Sequence, residues 1–242
     1  MPSVRRGWGA PVRVPYGAGM AEMNDLHIHV TGDGQPIVLS HGVGSDTTVW
    51  EALAADLSTD HLVAAWDQPG HGGSAPIEDP TAYGPALAYE SLTRVVQLYG
   101  RVVLVGHSLG GYLSARYAID HPERVAALIL IATGPGFRSP DAREKWNRGV
   151  RRMAEKQGRP ESLVGLHEDA HVMDHLSEIT CPTLVIVGSE DAAFLGATDY
   201  IERKIAGSER VTIDDAGHMV PSTHGTEIAT MVREFLGRRV TY

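Results

Sequence analysis

Residues 102–111 read Val-Val-Leu-Val-Gly-His-Ser-Leu-Gly-Gly (VVLVGHSLGG), and Tyr-Leu-Ser-Ala-Arg-Tyr-Ala-Ile-Asp-His comes directly after them. A run that is apolar at every position is the pattern of a strand buried on both faces. The stretch from Tyr112 onward has helical character, so the chain must turn sharply between the two. The pentapeptide Gly106-His107-Ser108-Leu109-Gly110 sits at that change. A turn sharp enough to lift Ser108 clear of a sheet edge crowds the residues two before and two after it. Glycine at both places removes the clash. Amides at the start of the next helix then lie beside the hydroxyl, where they stabilise developing negative charge.

Outward from this point the same alternation recurs. Short apolar runs occur at 26–32, 36–42, 62–70, 126–133, 183–191 and 210–218. Helical stretches at 46–58, 86–100 and 225–239 lie between or after them. Continuous apolar runs alternating with helices predict an α/β fold with a mostly parallel central sheet flanked by helices. In such sheets the loops at the carboxyl ends of the strands build the site.

The 242 residues suit one large domain. A net charge of −9 argues against nucleic-acid or anionic-membrane partners, which need clustered positive charge. The acidity reads as a solubility feature. One cysteine, Cys181, excludes an internal disulfide and fits a reducing, cytoplasmic setting. It reads as a small buried hydrophobe. No apolar run approaches the ~20 residues a membrane span needs. Residues 1–22 are rich in Gly, Pro and Arg and lack the apolar segment of a secretory signal. They read as a flexible extension or a misassigned start, with Met20 and Met23 as alternative initiators, which leaves 23–242 as the domain.

Residues 134–177 hold no convincing strand and read as a helical lid inserted in the domain. Ala142, Trp146, Val150 and Met153 share one helical face, and basic residues from Arg143 to Lys156 fill much of the rest. A second amphipathic piece is expected over about 161–177. Within it, His167-Glu168-Asp169-Ala170-His171 matches H-E-x-x-H, which on a helix would put two imidazoles on one face. His175 would be a badly placed third ligand one turn on, so the stripe reads as a solvated face and no metal is assigned.

A serine hydroxyl needs a base to take its proton, and the base needs an orienting acid. Of twelve histidines, His218 follows the last strand pattern at its carboxyl end. His41, His71 and His224 are rivals near loops, and His107 adjoins the serine on a turn that points neighbours apart. Asp191 ends the strand pattern at 183–191, with Glu190 as its competitor. Asp214 and Asp215 read as structural or solvated. An oxyanion needs two backbone donors: the Leu109 N–H, and one from residues 39–45, Leu-Ser-His-Gly-Val-Gly-Ser.

These landmarks, with Asp67-Gln68-Pro69-Gly70-His71-Gly72-Gly73-Ser74 and Ala216-Gly217-His218, resemble the α/β-hydrolase superfamily over about residues 26–238. The branch is that of small serine hydrolases with a helical lid. The resemblance implies Ser108 as nucleophile, Asp191 as acid and His218 as base. It implies the Val43 and Leu109 N–H groups as the oxyanion hole, and no cofactor. Residues 67–74 look like the family's structural loop, with no catalytic role for His71. The implied activity is hydrolysis of a small-molecule acyl substrate, an ester or lactone. Carbon–carbon cleavage of a dioxo acid, acyl transfer or cyclisation, and a small-molecule receptor are the alternatives. The lid is shorter than many in the family, which predicts a pocket that is open or completed by a second subunit.

Overall fold

The structure, a computed structural model, describes residues 12–15 and 25–240. The strands are β1 (Val12–Pro15), β2 (Asp25–Thr31), β3 (Pro36–Ser40), β4 (Leu62–Trp66), β5 (Val102–His107), β6 (Val125–Ile131), β7 (Thr183–Gly188) and β8 (Glu209–Ile213). Among the described residues they form one eight-stranded sheet of order β1-β2-β4-β3-β5-β6-β7-β8. Both pairings of β2 are antiparallel, and all others are parallel. The helices are α1 (Glu51–Leu57), α2 (Pro85–Gln97), α3 (Leu109–Asp120), α4 (Pro140–Gln157), α5 (His171–His175), α6 (Leu195–Lys204), α7 (Val220–Thr223) and α8 (Gly225–Arg239).

Strands β5, β6 and β7 are buried at every residue, as their unbroken apolar runs require. Successive side chains point to opposite faces. Val102 and Leu104 join the apolar cluster containing Leu92, Val95 and Leu113 of α2 and α3. Val103 and Val105 join the one containing Leu53, Val232 and Phe235 of α1 and α8. Two cores, one on each face of the sheet, thus hold β5 at its centre and fix where Ser108 emerges.

Between β6 and β7 the chain runs through α4, α5 and shorter helical pieces. Ser139 caps α4 by accepting the Ala142 N–H, and Gly158 closes it at a φ of 61°. Val150 and Ala154 are buried, while Arg148 and Arg151 stay exposed beside Glu144. The second piece is not one amphipathic helix. It is a 3-10 segment (Pro160–Gly165), an irregular stretch over 166–170, the five-residue α5 and a 3-10 turn (Leu176–Glu178). The cause is tertiary: Asn147 of α4 accepts the His167 N–H and donates to the His167 carbonyl, at 2.9 and 2.8 Å. Backbone groups bound there are withdrawn from a helix ladder.

Three further elements, α6, α7 and β1, are not legible in the sequence. Most of the extension expected over 1–22 lies outside the described residues. Its described part, Val12–Pro15, is a strand in register with Asp25–Ile28 of β2. Cys181 is half-buried, and burial pushes its thiol up to about 11. No helix among the described residues is long and apolar enough to cross a membrane.

Candidate active site

Ser108 links β5 to α3 with φ 52° and ψ −115°, a left-handed conformation that non-glycine residues rarely adopt. Such backbone costs about 1–3 kcal/mol and persists only where surroundings enforce it. Here the Ser108 N–H donates to the Ile131 carbonyl at 3.0 Å, and Thr133 Oγ1 donates to the Ser108 carbonyl at 2.6 Å. The glycines are needed for space. A Cβ at Gly106 would overlap the Gly110 carbonyl, and one at Gly110 would overlap the Ser40 carbonyl.

Asp191 follows β7 and His218 follows β8. Adjacent parallel strands bring the two loops together, and His218 Nδ1 lies 2.8 Å from Asp191 Oδ2. With Nδ1–H donating to the carboxylate, Nε2 carries the lone pair. Asp191 is buried, whereas Glu190 is exposed. The His218 ring stacks on Phe194 at 4.8 Å and 21°. It also lies 4.8 Å from the His107 ring, whose Nε2–H donates to the His218 carbonyl at 2.8 Å. The remaining acidic candidates, Asp214 and Asp215, are exposed.

Gly42 passes so close to the turn that a Cβ there would stand 3.0 Å from Ser108 Cβ. Val43 and Leu109 both line the cavity at Ser108. Among the described residues neither of their N–H groups donates to another group of the chain. The loop at 67–74 braces this segment. Buried Asp67 accepts the Thr47 and Gly73 N–H groups at 2.7 and 2.9 Å and pairs with His27 at 2.8 Å. His71 Nε2 accepts the Gly44 N–H at 3.1 Å, and His41 Nε2 accepts the Gln68 N–H at 2.9 Å. Burial lowers both rings, His41 to about 4, which keeps each neutral and able to accept. In the sequence, His71 and His107 read only as turn residues. Their contacts are long-range, and no local signal announces them.

The cavity above Ser108 has a volume of about 450 Å³. One part of its wall comes from Val43, Leu109 and Phe194, and another from Trp146, Val150 and Met153 of α4. One chain supplies both. Among the described residues no Asp, Glu, Lys or Arg lines it, so the basic residues of α4 contribute nothing to its walls. His167 does line it, whereas His171 opens α5 and bonds Asp120 at 2.8 Å. The H-E-x-x-H residues therefore share no helical face. His224 is paired with Thr223 at 2.8 Å.

A family model described as alpha/beta hydrolase fold matches residues 35–164, from β3 through the serine turn and past α4. A pimeloyl-[acyl-carrier protein] methyl ester esterase of Nitrosomonas europaea is 32% identical over 71% of this chain, a match spanning 62% of that protein. The Legionella pneumophila (strain Corby) protein of the same name is 26% identical over 88% of this chain and 99% of its own. Among solved structures, a thermophilic esterase from Thermogutta terrifontis superposes with a TM-score of 0.78 at 27% identity, covering 96% of this chain and 100% of that one. With the family model spanning more than half of its length and the fold reproduced over nearly all of it, this chain belongs to the alpha/beta hydrolase fold family and is an enzyme of that family.

Proposed function

We propose that the protein hydrolyses a carboxylic ester or lactone through an acyl-enzyme on Ser108, with His218 as base and Asp191 as its orienting acid. At the coarser level of ester hydrolysis, the esterase names of its relatives support the assignment. The observations that carry the finer reading are the Asp191–His218 pair at 2.8 Å and a serine held in strained backbone that lines an apolar cavity.

In this mechanism Nε2 of His218 takes the Ser108 proton as Oγ attacks the ester carbonyl. The carbonyl π electrons move to oxygen, and the Val43 and Leu109 N–H groups donate to that oxyanion. Collapse expels the alkoxide, which takes the proton from His218. Water, deprotonated by His218, then attacks the acyl-enzyme, and Ser108 leaves with the proton returned. Asp191 holds the tautomer and offsets the imidazolium charge in both halves. The uncharged walls fit an acyl chain without ionised groups along the cavity. The partner is thus a small-molecule acyl substrate.

The test is turnover of a p-nitrophenyl ester series from acetate to dodecanoate by wild type and Ser108→Ala. Serine-dependent hydrolysis with a loss of about 10⁴-fold or more in the variant is expected. Equal rates in the two proteins would remove the proposal.

A further inference from the structure

The cavity wall carries one polar ring that the mechanism does not use. His167 is 7% exposed, and neither ring nitrogen has a hydrogen-bond partner among the described residues. Its backbone is fully employed, with N–H and C=O both held by Asn147. Its ring is gripped by aromatic rings, edge-on to Tyr112 at 4.4 Å and Phe137 at 5.5 Å, and 5.8 Å from Trp146. Nothing in that setting needs an imidazole, since a phenyl ring would fill it without desolvating two nitrogens.

The two nitrogens differ. Nδ1 is sealed from solvent and faces Gly136, where a Cβ would stand 3.2 Å away. Nε2 is not sealed in this way, and the residue lines the cavity. Burial lowers the ring to about 4, so it is neutral at ordinary pH and carries one proton. A sealed N–H without an acceptor is rarer and costlier than a sealed lone pair, which puts the proton on Nε2. The other side-chain donors nearby are committed: Trp146 Nε1 donates to the Gly165 carbonyl at 3.0 Å, and Thr133 Oγ1 to Ser108. Tyr112 is the exception; burial, foremost, raises its phenol, and Asp169 adds to this.

We propose that His167 is a specificity-determining residue whose Nε2–H donates to an uncharged acceptor oxygen on the substrate, so that the preferred ester carries a keto, ether or second ester oxygen within an otherwise apolar chain. This rests on the esterase proposal and names its substrate class. A bare alkyl chain leaves the His167 N–H desolvated and unpaired, whereas an oxygen at the right distance satisfies it. An oxygen beyond the reach of that N–H leaves the His167 ring unpaired and gains nothing from it.

The experiment compares p-nitrophenyl esters from pentanoate to nonanoate with counterparts bearing a keto group at the penultimate carbon, read as the ratio of kcat/KM within each pair. In wild type one chain length should favour the keto ester by about tenfold, and lengths away from it should not. The ratio at that length should fall to about one in His167→Phe, and partly survive in His167→Gln, which keeps an N–H donor. It should persist in Tyr112→Phe. Hydrolysis of the plain esters with no keto preference at any length would overturn the inference and leave the esterase proposal standing. Persistence of the preference in His167→Phe, or its loss in Tyr112→Phe alone, would equally overturn it. Failure of both series in wild type would remove the esterase proposal itself, and the inference with it.

Discussion

His107 Nε2 donates to the backbone carbonyl of His218 at 2.8 Å, joining the residue before the proposed nucleophile to the proposed base across 111 positions of chain. Burial pushes the His107 ring down to about 3, so it stays neutral. Its Nδ1 is sealed without a partner, which leaves Nε2 as the donor. The bond fixes the loop after β8 against the end of β5, and hence the spacing of base and serine. A displacement of an ångström at a reacting pair costs up to about 10²-fold.

His107→Leu should therefore lower kcat about tenfold or more while KM for a p-nitrophenyl ester changes little. Equilibrium unfolding should show a loss of about 1–3 kcal/mol, since the His218 carbonyl is left without its donor. A variant with unchanged kcat and reduced stability would make His107 a purely structural residue.

Buried histidines also set the acid limit of the fold. Burial lowers His41 to about 4, His107 to about 3 and His167 to about 4, all from an unfolded value of 6.5. Each is neutral in the folded protein and takes a proton on unfolding below 6.5. Their contribution is complete above 6.5 and is lost as pH falls from there through about 4. Each costs about 1.4 kcal/mol per pH unit within that window. The lowered carboxyl groups of Asp46, Asp60 and Asp120 act only below 3.8, outside it. Burial lowers His71 as well, so urea unfolding as a function of pH should report uptake of about three protons or more near pH 5, and about one fewer in His107→Leu. Stability that is flat between about pH 6.5 and 4.5 would contradict this assignment of neutral rings.

The fold is legible where burial repeats along the chain. β5, β6 and β7 announce themselves through continuous apolar runs, and the serine turn because its glycines answer a steric demand. β1 is hidden because four residues in a Gly- and Pro-rich stretch become a strand only by pairing with β2. The irregular stretch after α4 is hidden for the same kind of reason, its backbone being claimed by Asn147 from another element. Sequence pattern favours Asp191 at the strand end and keeps Glu190 beside it as a competitor. Adjacent residues leaving a strand face opposite ways, and only the structure says which faces the core.

That choice gives a sharp contrast. Asp191 is buried against His218 Nδ1, and Glu190 is exposed. Asp191→Asn should cut kcat by about 10³–10⁴-fold, because an amide no longer enforces the tautomer that leaves Nε2 free. Glu190→Gln should stay within about twofold, as surface changes away from a site do. The two variants are read with one p-nitrophenyl ester at saturating concentration. Loss in Glu190→Gln with activity kept in Asp191→Asn would move the acid by one residue.

Two glycines of one loop should fail in different ways. Gly42 has no room: a Cβ would stand 3.0 Å from Ser108 Cβ and 3.2 Å from His107 Nδ1. Gly44 has room, its nearest neighbour being Arg159 Nη1 at 3.8 Å, but its φ of 73° is unfavourable for any residue with a Cβ. Gly42→Ala must push either the serine or the Val43 N–H away from a reacting carbonyl. It should lower kcat by about 10- to 100-fold. Gly44→Ala should cost about 1 kcal/mol of stability through backbone strain and leave kcat within a fewfold of wild type. Thermal unfolding and saturating ester turnover, measured on both, separate the cases. If Gly42→Ala keeps full activity, the loop bends away from Ser108 freely, and the Val43 amide is not the fixed oxyanion donor proposed for it.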